Sequence, residues 1–584
     1  MKTIRFETES TSKALITLIN PNKVQPAITP YALDILTTSL EQDGFAVEVV
    51  DLTFRQETWK QVLEEYFQVK RPLLIGITIR NTDTIYPQEQ KVFLEEHKEV
   101  IDIVKQLTKA PIVAGGVGFS SMPFALLEYF DIPYGIKGPG ELLICKLANK
   151  LLLQESPWDV SGLLINDGQK VVQVSRNNRN ESDRHLKGSE KGRVKFVNLA
   201  TPYVRRSGVP WKVDNLEYYA KGGLGNILIK NGCSFACAHC VEPDAKGKQF
   251  ARRSITAVVD EMEMLAGQGV YDLHTSDSEV NLSIENTKNI LRAIIARKRK
   301  DSSSPLHQLR LWIYAQPVPF DEELALLLAK AGCKGVNLSP EHTRDELLNS
   351  WKVAVNEKRY FNFEDIKRVT KLIKDNGMLV IIDIMLGMPG ETIETVYDCI
   401  DETLALDATV VGFALGIRVF PYSPLGVRFA NESNGITVIK GLQSNTAISP
   451  IILRPLASST SIADYERQFM FDEFGRIRPL FYFSPDLPED PKTIDSPSGR
   501  WSRTIELIRS YVPQNEHYRV SLPTIPGDTK DDNNYADNPF LMRLVQLGYK
   551  GAYWSNWRRR DQIMLEFAER EKEMKISNVS PMVE

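Results

Sequence analysis

NILIKNGCSFACAHCVEPDAKG, residues 226–247, runs an apolar strand into a loop that holds three of the chain's six cysteines. Cys233, Cys237 and Cys240 are separated by three and then two residues. Three thiolates on one loop can hold three corners of an iron–sulfur cube and leave one iron open. Zinc is the alternative; His239 could be its fourth ligand, although zinc sites usually come as two separated ligand pairs. The remaining cysteines, Cys145, Cys333 and Cys399, stand singly in apolar or helical surroundings and are read as small buried hydrophobes. Clustered thiols of this kind are not a disulfide framework and suit a reducing compartment.

The strand before the cysteines opens an alternating series. A helix is expected over 255–269, then a strand VYDLHTS (270–276), a strand LRLWIYAQ (309–316) and a helix over 321–331. KGVNLS (334–339), a helix over 362–375, LVIIDIMLG (379–387), a helix over 392–406 and TVVGFALGIRVF (409–420) complete it. Six strands, each but the last followed by a helix, predict a (β/α)6 partial barrel over 223–435 with its site at the carboxyl-terminal face. Residues 436–584 contain the apolar run RPLFYFS (478–484), a polar stretch at 527–539 and a charged helix near 558–575. They read as a small C-terminal α+β domain, accessory to the barrel or contacting its substrate.

Upstream, ALITLI (14–19), AVEVVDL (46–52), LLIGITI (73–79), PIVAGG (111–116) and IPYGIKG (132–138) alternate with helical patterns. Strands nearly continuous in Val, Ile and Leu predict a parallel sheet covered on both faces, so the fold class is α/β with a doubly wound first domain over 1–175. Such a sheet binds ligands beyond its carboxyl ends, where this chain places AGGVGFSS (114–121) and GIKGPGE (135–141). LLINDGQKVVQV (163–174) reads as a hairpin turning at Asp167 and Gly168. The polar stretch 176–222 is taken as a linker.

The 71 basic and 75 acidic residues give a formal charge of −4, without the basic excess of a dedicated nucleic-acid binder. ARKRK (296–300) and RRR (558–560) are read as solvated helix ends. No apolar run approaches the ~18 residues of a membrane span, and the first twenty residues lack the apolar core of a signal peptide. A cytoplasmic enzyme is expected, with no nucleic-acid or membrane partner.

At the cysteine loop the sequence resembles the radical S-adenosylmethionine superfamily. The resemblance implies a four-iron four-sulfur cluster on Cys233, Cys237 and Cys240 whose open iron binds S-adenosylmethionine. Many members carry an aromatic residue where His239 stands, a departure that removes no ligand. DLHTSDSEVN (272–281) matches the second strand end, so Asp277, Ser278 and Glu279 are candidates for the methionine ammonium, which needs acceptors. NLSPEHTRDELL (337–348), LGMPGET (386–392) and GIRVFPYSPLG (416–426) match the fourth, fifth and sixth strand ends.

Paired with this barrel, the first domain resembles the cobalamin-binding domain of cobalamin-dependent members. Gly115, Gly116, Gly118, Gly138, Gly140 and Glu141 are its candidate cofactor residues, since glycine lets backbone approach a wide corrin. Asp183, His185 and Gly188 literally spell a D-x-H-x-x-G cobalt-ligand motif, but they lie in the linker rather than after the first strand and are read as a chance match. The loop 20–29 has no histidine, so the corrin is expected without a protein histidine on cobalt. Arg80, just past the third strand, is then a candidate for the lower cobalt face, or for pairing with Asp83 or a corrin amide.

The resemblance implies a methyltransferase that moves a methyl group from S-adenosylmethionine via methylcobalamin to a small molecule, drawing on an external electron donor. FYFSPDL (481–487), the polar tail and GAYWSNW (551–557) are most similar to the tryptophan 2-C-methyltransferase branch, which implies polar transfer to an indole carbon. Glu341, Tyr314 and Tyr422, at strand ends, are candidates for the base that removes the ring proton. A radical-using C- or P-methyltransferase, a cobalamin-dependent cyclase and a non-catalytic iron–sulfur or cobalamin protein remain as alternatives. A methylthiotransferase would need three more clustered cysteines.

Overall fold

The computed structural model describes residues 13–23, 27–85, 87, 92–175, 212–248, 250–352, 360–444, 450–495, 499–515, 517–521, 543, 547 and 560–577. The apolar runs of the first domain form β1 (Leu15–Asn20), β2 (Ala46–Asp51), β3 (Leu74–Thr78), β4 (Ile112–Gly115) and β5 (Tyr134–Ile136). The hairpin β6 (Leu163–Asn166) and β7 (Val171–Gln173) joins their sheet, giving the order β2-β1-β3-β4-β5-β6-β7. Pairing is parallel through β5 and antiparallel beyond it. Because β1 has β2 on one side and β3 on the other, connections leave it in opposite directions, and a crevice opens at that switch point.

The cysteine strand is β8 (Gly225–Ile227), followed by the short antiparallel pair β9 (Lys230–Asn231) and β10 (Ala251–Arg252) that brackets the loop. The series continues with β11 (Asp272–Thr275), β12 (Arg310–Ala315), β13 (Cys333–Glu341), β14 (Leu379–Leu386) and β15 (Val410–Leu415). All six expected strands pair in parallel. The helix Phe363–Asp375 shows why these segments fold as they do. Asn362 and Asp365 form a capping box, and Ile366, Val369, Thr370 and Ile373 recur at the spacing of one buried face.

Three expectations about boundaries are corrected. First, Gly416, at φ +97°, turns the chain out of the sixth strand into a second, antiparallel sheet. Its strands are β16 (Ile417–Arg418), β17 (Leu442–Ser444) and β18 (Leu480–Tyr482), so this sheet takes strands from both sides of the division expected at 435/436. Second, β19 (Tyr518–Ser521), from the supposed accessory domain, pairs with β15 and becomes the barrel's seventh strand. Third, the end of the expected linker forms the helix Asn215–Ala220, whose Tyr218 donates to Asp51 at 2.7 Å and is buried at the carboxyl ends of β1 and β2. Residues 176–211, with Asp183, His185 and Gly188, lie outside those described, as do 522–542 and GAYWSNW.

One apolar core lies between the barrel strands and the helices that cover them, from Ile227 on β8 to Val520 on β19. A second runs from Ile19 and Ile77 of the first sheet through Phe130 into Val419, Phe469 and Tyr482 of the C-terminal region. The C-terminal region is therefore welded to both domains by buried apolar surface, which favours a fixed placement of one against the other. No described helix is long and apolar enough to cross a membrane.

Candidate active site between the corrin-type sheet and the barrel

A cavity of about 940 Å³ opens between the carboxyl ends of both parallel sheets. It is near the upper end of the roughly 300–1,000 Å³ of ligand clefts, with room for more than one small molecule. Cys233, Cys237 and Cys240 line its barrel side. Burial pushes the thiols of Cys233 and Cys237 up to about 11, with the charge of Glu279 adding to it, while the Lys352 ammonium opposes the rise at Cys237. Burial also raises Cys240, helped by Glu242. Thiols held protonated by burial become ligands when a metal centre's positive charge replaces the protons. Two buried lysines stand by: Lys352, and Lys230, whose Nζ donates to the Ser278 carbonyl at 2.8 Å. The donor set therefore fits an iron–sulfur cluster.

Asp277, Ser278 and Glu279 all line the cavity, but their polar atoms are already engaged. Asp277 accepts from the Ile229 and Lys230 amides at 2.9 and 2.6 Å, tying β11 to the start of the cysteine loop. The Ser278 hydroxyl donates to Glu242. Glu279 accepts from Gln316 Nε2 at 2.8 Å, and its backbone sits at φ +46°, a conformation a non-glycine residue keeps only when its surroundings enforce it. The acceptors left over include Thr275 Oγ1, Gln316 Oε1 and Asn337 Oδ1, buried atoms without a hydrogen-bond partner on residues that line the cavity. Unpaired buried acceptors cost roughly 1–3 kcal/mol each, so they fit a ligand rich in N–H and O–H donors.

On the opposite wall are Gly115, Gly116, Gly138, Gly140, Glu141 and Arg80. Gly116 has φ +105°, and a Cβ there would meet the Ile79 carbonyl at 2.5 Å. Gly138, at φ +80°, donates its amide to Ser120 Oγ, which in turn donates to the Gly116 carbonyl at 2.8 Å, so one hydroxyl ties the two glycine turns together. Gly118 is not on the cavity; its Cβ would meet the Arg80 and Asn81 backbone at 2.9 Å, so it serves close packing. Arg80 donates to Asn81 Oδ1 at 3.1 Å, and among the described residues no carboxylate lies within ion-pair distance of it. Asp83, the expected partner, pairs instead with Arg418 at 3.0 Å. Glycine turns around a half-buried cation with no carboxylate partner among the described residues fit a large cofactor that presents electron-rich or amide-bearing groups.

Of the acid–base candidates, Tyr314 and Glu341 reach the cavity. Tyr314 packs edge-on against His274. Glu341, at φ +64° where β13 shifts register, pairs with Lys352 at 2.5 Å and lies 3.8 Å from His239 Nε2. Burial and the Lys352 charge drive His239 down to about 3, so it is a neutral imidazole. Tyr422 is not among the residues lining the cavity: its hydroxyl donates to Glu466 at 2.5 Å, and Gly416 turns the chain off the barrel before reaching it.

Residues 227–403 match the radical SAM superfamily and residues 19–148 the B12 binding domain. The tryptophan 2-C-methyltransferase of Streptomyces laurentii is 51% identical over 581 residues, covering 94% of this chain and 97% of its own. The chain belongs to the tryptophan 2-C-methyltransferase family. A solved structure of the radical S-adenosylmethionine methyltransferase TsrM from Kitasatospora setae, with cobalamin and a [4Fe-4S] cluster bound, superposes with a TM-score of 0.87 at 50% identity, covering 96% of this chain and all of that one. A second TsrM structure, with tryptophan and a S-adenosylmethionine analogue bound, gives 0.85 over 94% and 99% of the two chains.

Within this family's framework, the sequence motifs missed Lys352, Lys230, Thr275, Gln316 and Asn337. Asn337, Ser339 and Glu341 all line the cavity. Their alternate spacing on one strand, a period of two, was the available signal for Asn337. Lys352 carried none, since its partner Glu341 is brought to it by the fold.

Proposed function

We propose that this protein transfers a methyl group from S-adenosylmethionine to C2 of the tryptophan indole, using a four-iron four-sulfur cluster and cobalamin. The observation that carries the reading is the single cavity, with three cysteines on one wall and the glycine turns and Arg80 on the other, in a chain aligned over nearly its whole length with the Streptomyces laurentii enzyme. Cys233, Cys237 and Cys240 would hold the cluster. The turns at Gly115–Gly116 and Gly138–Gly140 would cradle the corrin, and Arg80, on the same wall, would face it. When bound, the corrin supplies a cobalt that accepts a methyl group and gives it up to a nucleophilic carbon.

The chain's own residues do the rest. Thr275, Gln316 and Asn337 offer fixed acceptors that orient the two small molecules, a positioning effect that removes much of the entropy cost of bringing them together. Indole C2 is electron-rich, so attack on a methyl group needs no hydrogen-atom abstraction, only later loss of the ring proton. Glu341 Oε1, beside neutral His239, is the proton acceptor this reading favours, and Tyr314 orients the ring. The clustered thiols suit a cytoplasmic setting, and an external electron donor would serve only to reduce cobalt at the start or after stray oxidation, because transfer to a nucleophilic carbon leaves the bonding electron pair on the metal.

The test is to supply anaerobically reconstituted protein with cobalamin, a reductant, tryptophan and methyl-labelled S-adenosylmethionine. Tryptophan carrying one labelled methyl at C2 is expected, and C237A should lose both the iron and the product. Label at another position, or none in tryptophan, would overturn the reading.

A further inference from the structure

Asp83 is the carboxylate nearest in sequence to Arg80, two residues separating them. It is 2% exposed, yet it pairs elsewhere. Arg418 takes Asp83 instead, through Nε at 3.0 Å. The rest of the Arg418 head is fixed by the C-terminal region: Nη1 donates to the carbonyls of Val419, Phe469 and Leu480 at 2.6, 3.2 and 3.2 Å. The Thr82 hydroxyl donates to the same Asp83 oxygen, Oδ2, at 3.0 Å, and the Ile85 amide holds Oδ1 at 2.8 Å. A buried ion pair is a poor source of net stability, so its retention invites another reason. Arg80 faces the cavity with Asn81 Oδ1 as its hydrogen-bond partner and, among the described residues, no carboxylate within ion-pair distance.

We propose that Arg418 is a positioning residue that sequesters Asp83, so that the Arg80 guanidinium stays uncompensated and directed at the corrin site. Without Arg418, Asp83 would turn to Arg80, pair with it and draw it off the cavity. The inference rests on the proposed placement of cobalamin against Arg80, but it concerns residues 335 positions apart and outside the reacting groups.

The experiment reads the spin-resonance spectrum of bound cob(II)alamin, without tryptophan, in the full-length protein. An R80M variant gives the spectrum of a corrin whose lower face has lost the arginine. R418Q is expected to shift the spectrum to that of R80M and to lower kcat about tenfold or more with KM for tryptophan unchanged. D83N is expected to leave the spectrum as in the parent, and D83N/R418Q to restore it. This asymmetry separates sequestration from a merely structural latch, in which D83N and R418Q would damage the protein alike. Should R418Q not fold, N81D supplies a carboxylate to Arg80 with the Asp83–Arg418 pair intact and is expected to reproduce the R80M spectrum. The proposal is overturned if D83N alone shifts the spectrum, if the double variant fails to restore it, if N81D leaves it unchanged, or if the parent and R80M spectra coincide. Absence of cobalamin binding in the parent would instead overturn the functional reading itself.

Discussion

Glu466 is fully buried, accepting from the Tyr422 hydroxyl on one oxygen and from the Ala125 amide, at 2.8 Å, on the other. Burial raises its carboxyl from 4.5 to about 7. Between those values the folded protein binds a proton that the unfolded chain does not. The resulting stability is full below the unfolded value and is lost as pH rises through about 7. Compared with E466Q, the parent should therefore gain stability as pH is lowered from about 8 to 5, by up to roughly 3 kcal/mol. Urea midpoints of the two proteins across that range check it; a parent that loses ground on acidification would contradict the assignment. The same residue explains a misreading. Tyr422 sits in a motif that matches a strand end, but its hydroxyl faces a carboxylate 44 residues away, and local sequence cannot show which of two walls a tyrosine faces. That Cys233, Cys237 and Cys240 come to one cavity was legible because spacing along one loop keeps them together. The pairing of Asp83 with Arg418 was not, because a buried cation finds its partner through tertiary packing.

At the scale of elements, the parallel strands were legible because a sheet covered on both faces demands unbroken apolar runs, whereas β19 is four residues long between polar stretches and takes its place by pairing with β15. The glycine turns combine both kinds of information. Gly116 begins the helix Val117–Ser121 at φ +105°, so any side chain there is strained and also strikes the Ile79 carbonyl. G116A should displace the turn and weaken cobalamin binding by about tenfold or more, equivalent to about 1.4 kcal/mol, while leaving the iron content unchanged. Equilibrium titration with cobalamin and an iron assay on the same preparation make the comparison. Equal affinity in variant and parent would remove this turn from the corrin cradle.

Across the whole molecule, the two sheets aim their carboxyl ends at one cavity, and the C-terminal region fixes that alignment by giving a strand to the barrel and apolar side chains to the first domain. Under the proposed function such an arrangement would bring donor, carrier and acceptor together, and an indole carbon, already nucleophilic, would not have to be turned into a radical. The fate of S-adenosylmethionine during turnover tests this most directly. Quantifying S-adenosylhomocysteine, 5′-deoxyadenosine and 2-methyltryptophan in one reaction should give the first and the last in equal amounts, with no 5′-deoxyadenosine tied to product. One 5′-deoxyadenosine for each methylated tryptophan would contradict the account and show that the acceptor is activated by hydrogen abstraction.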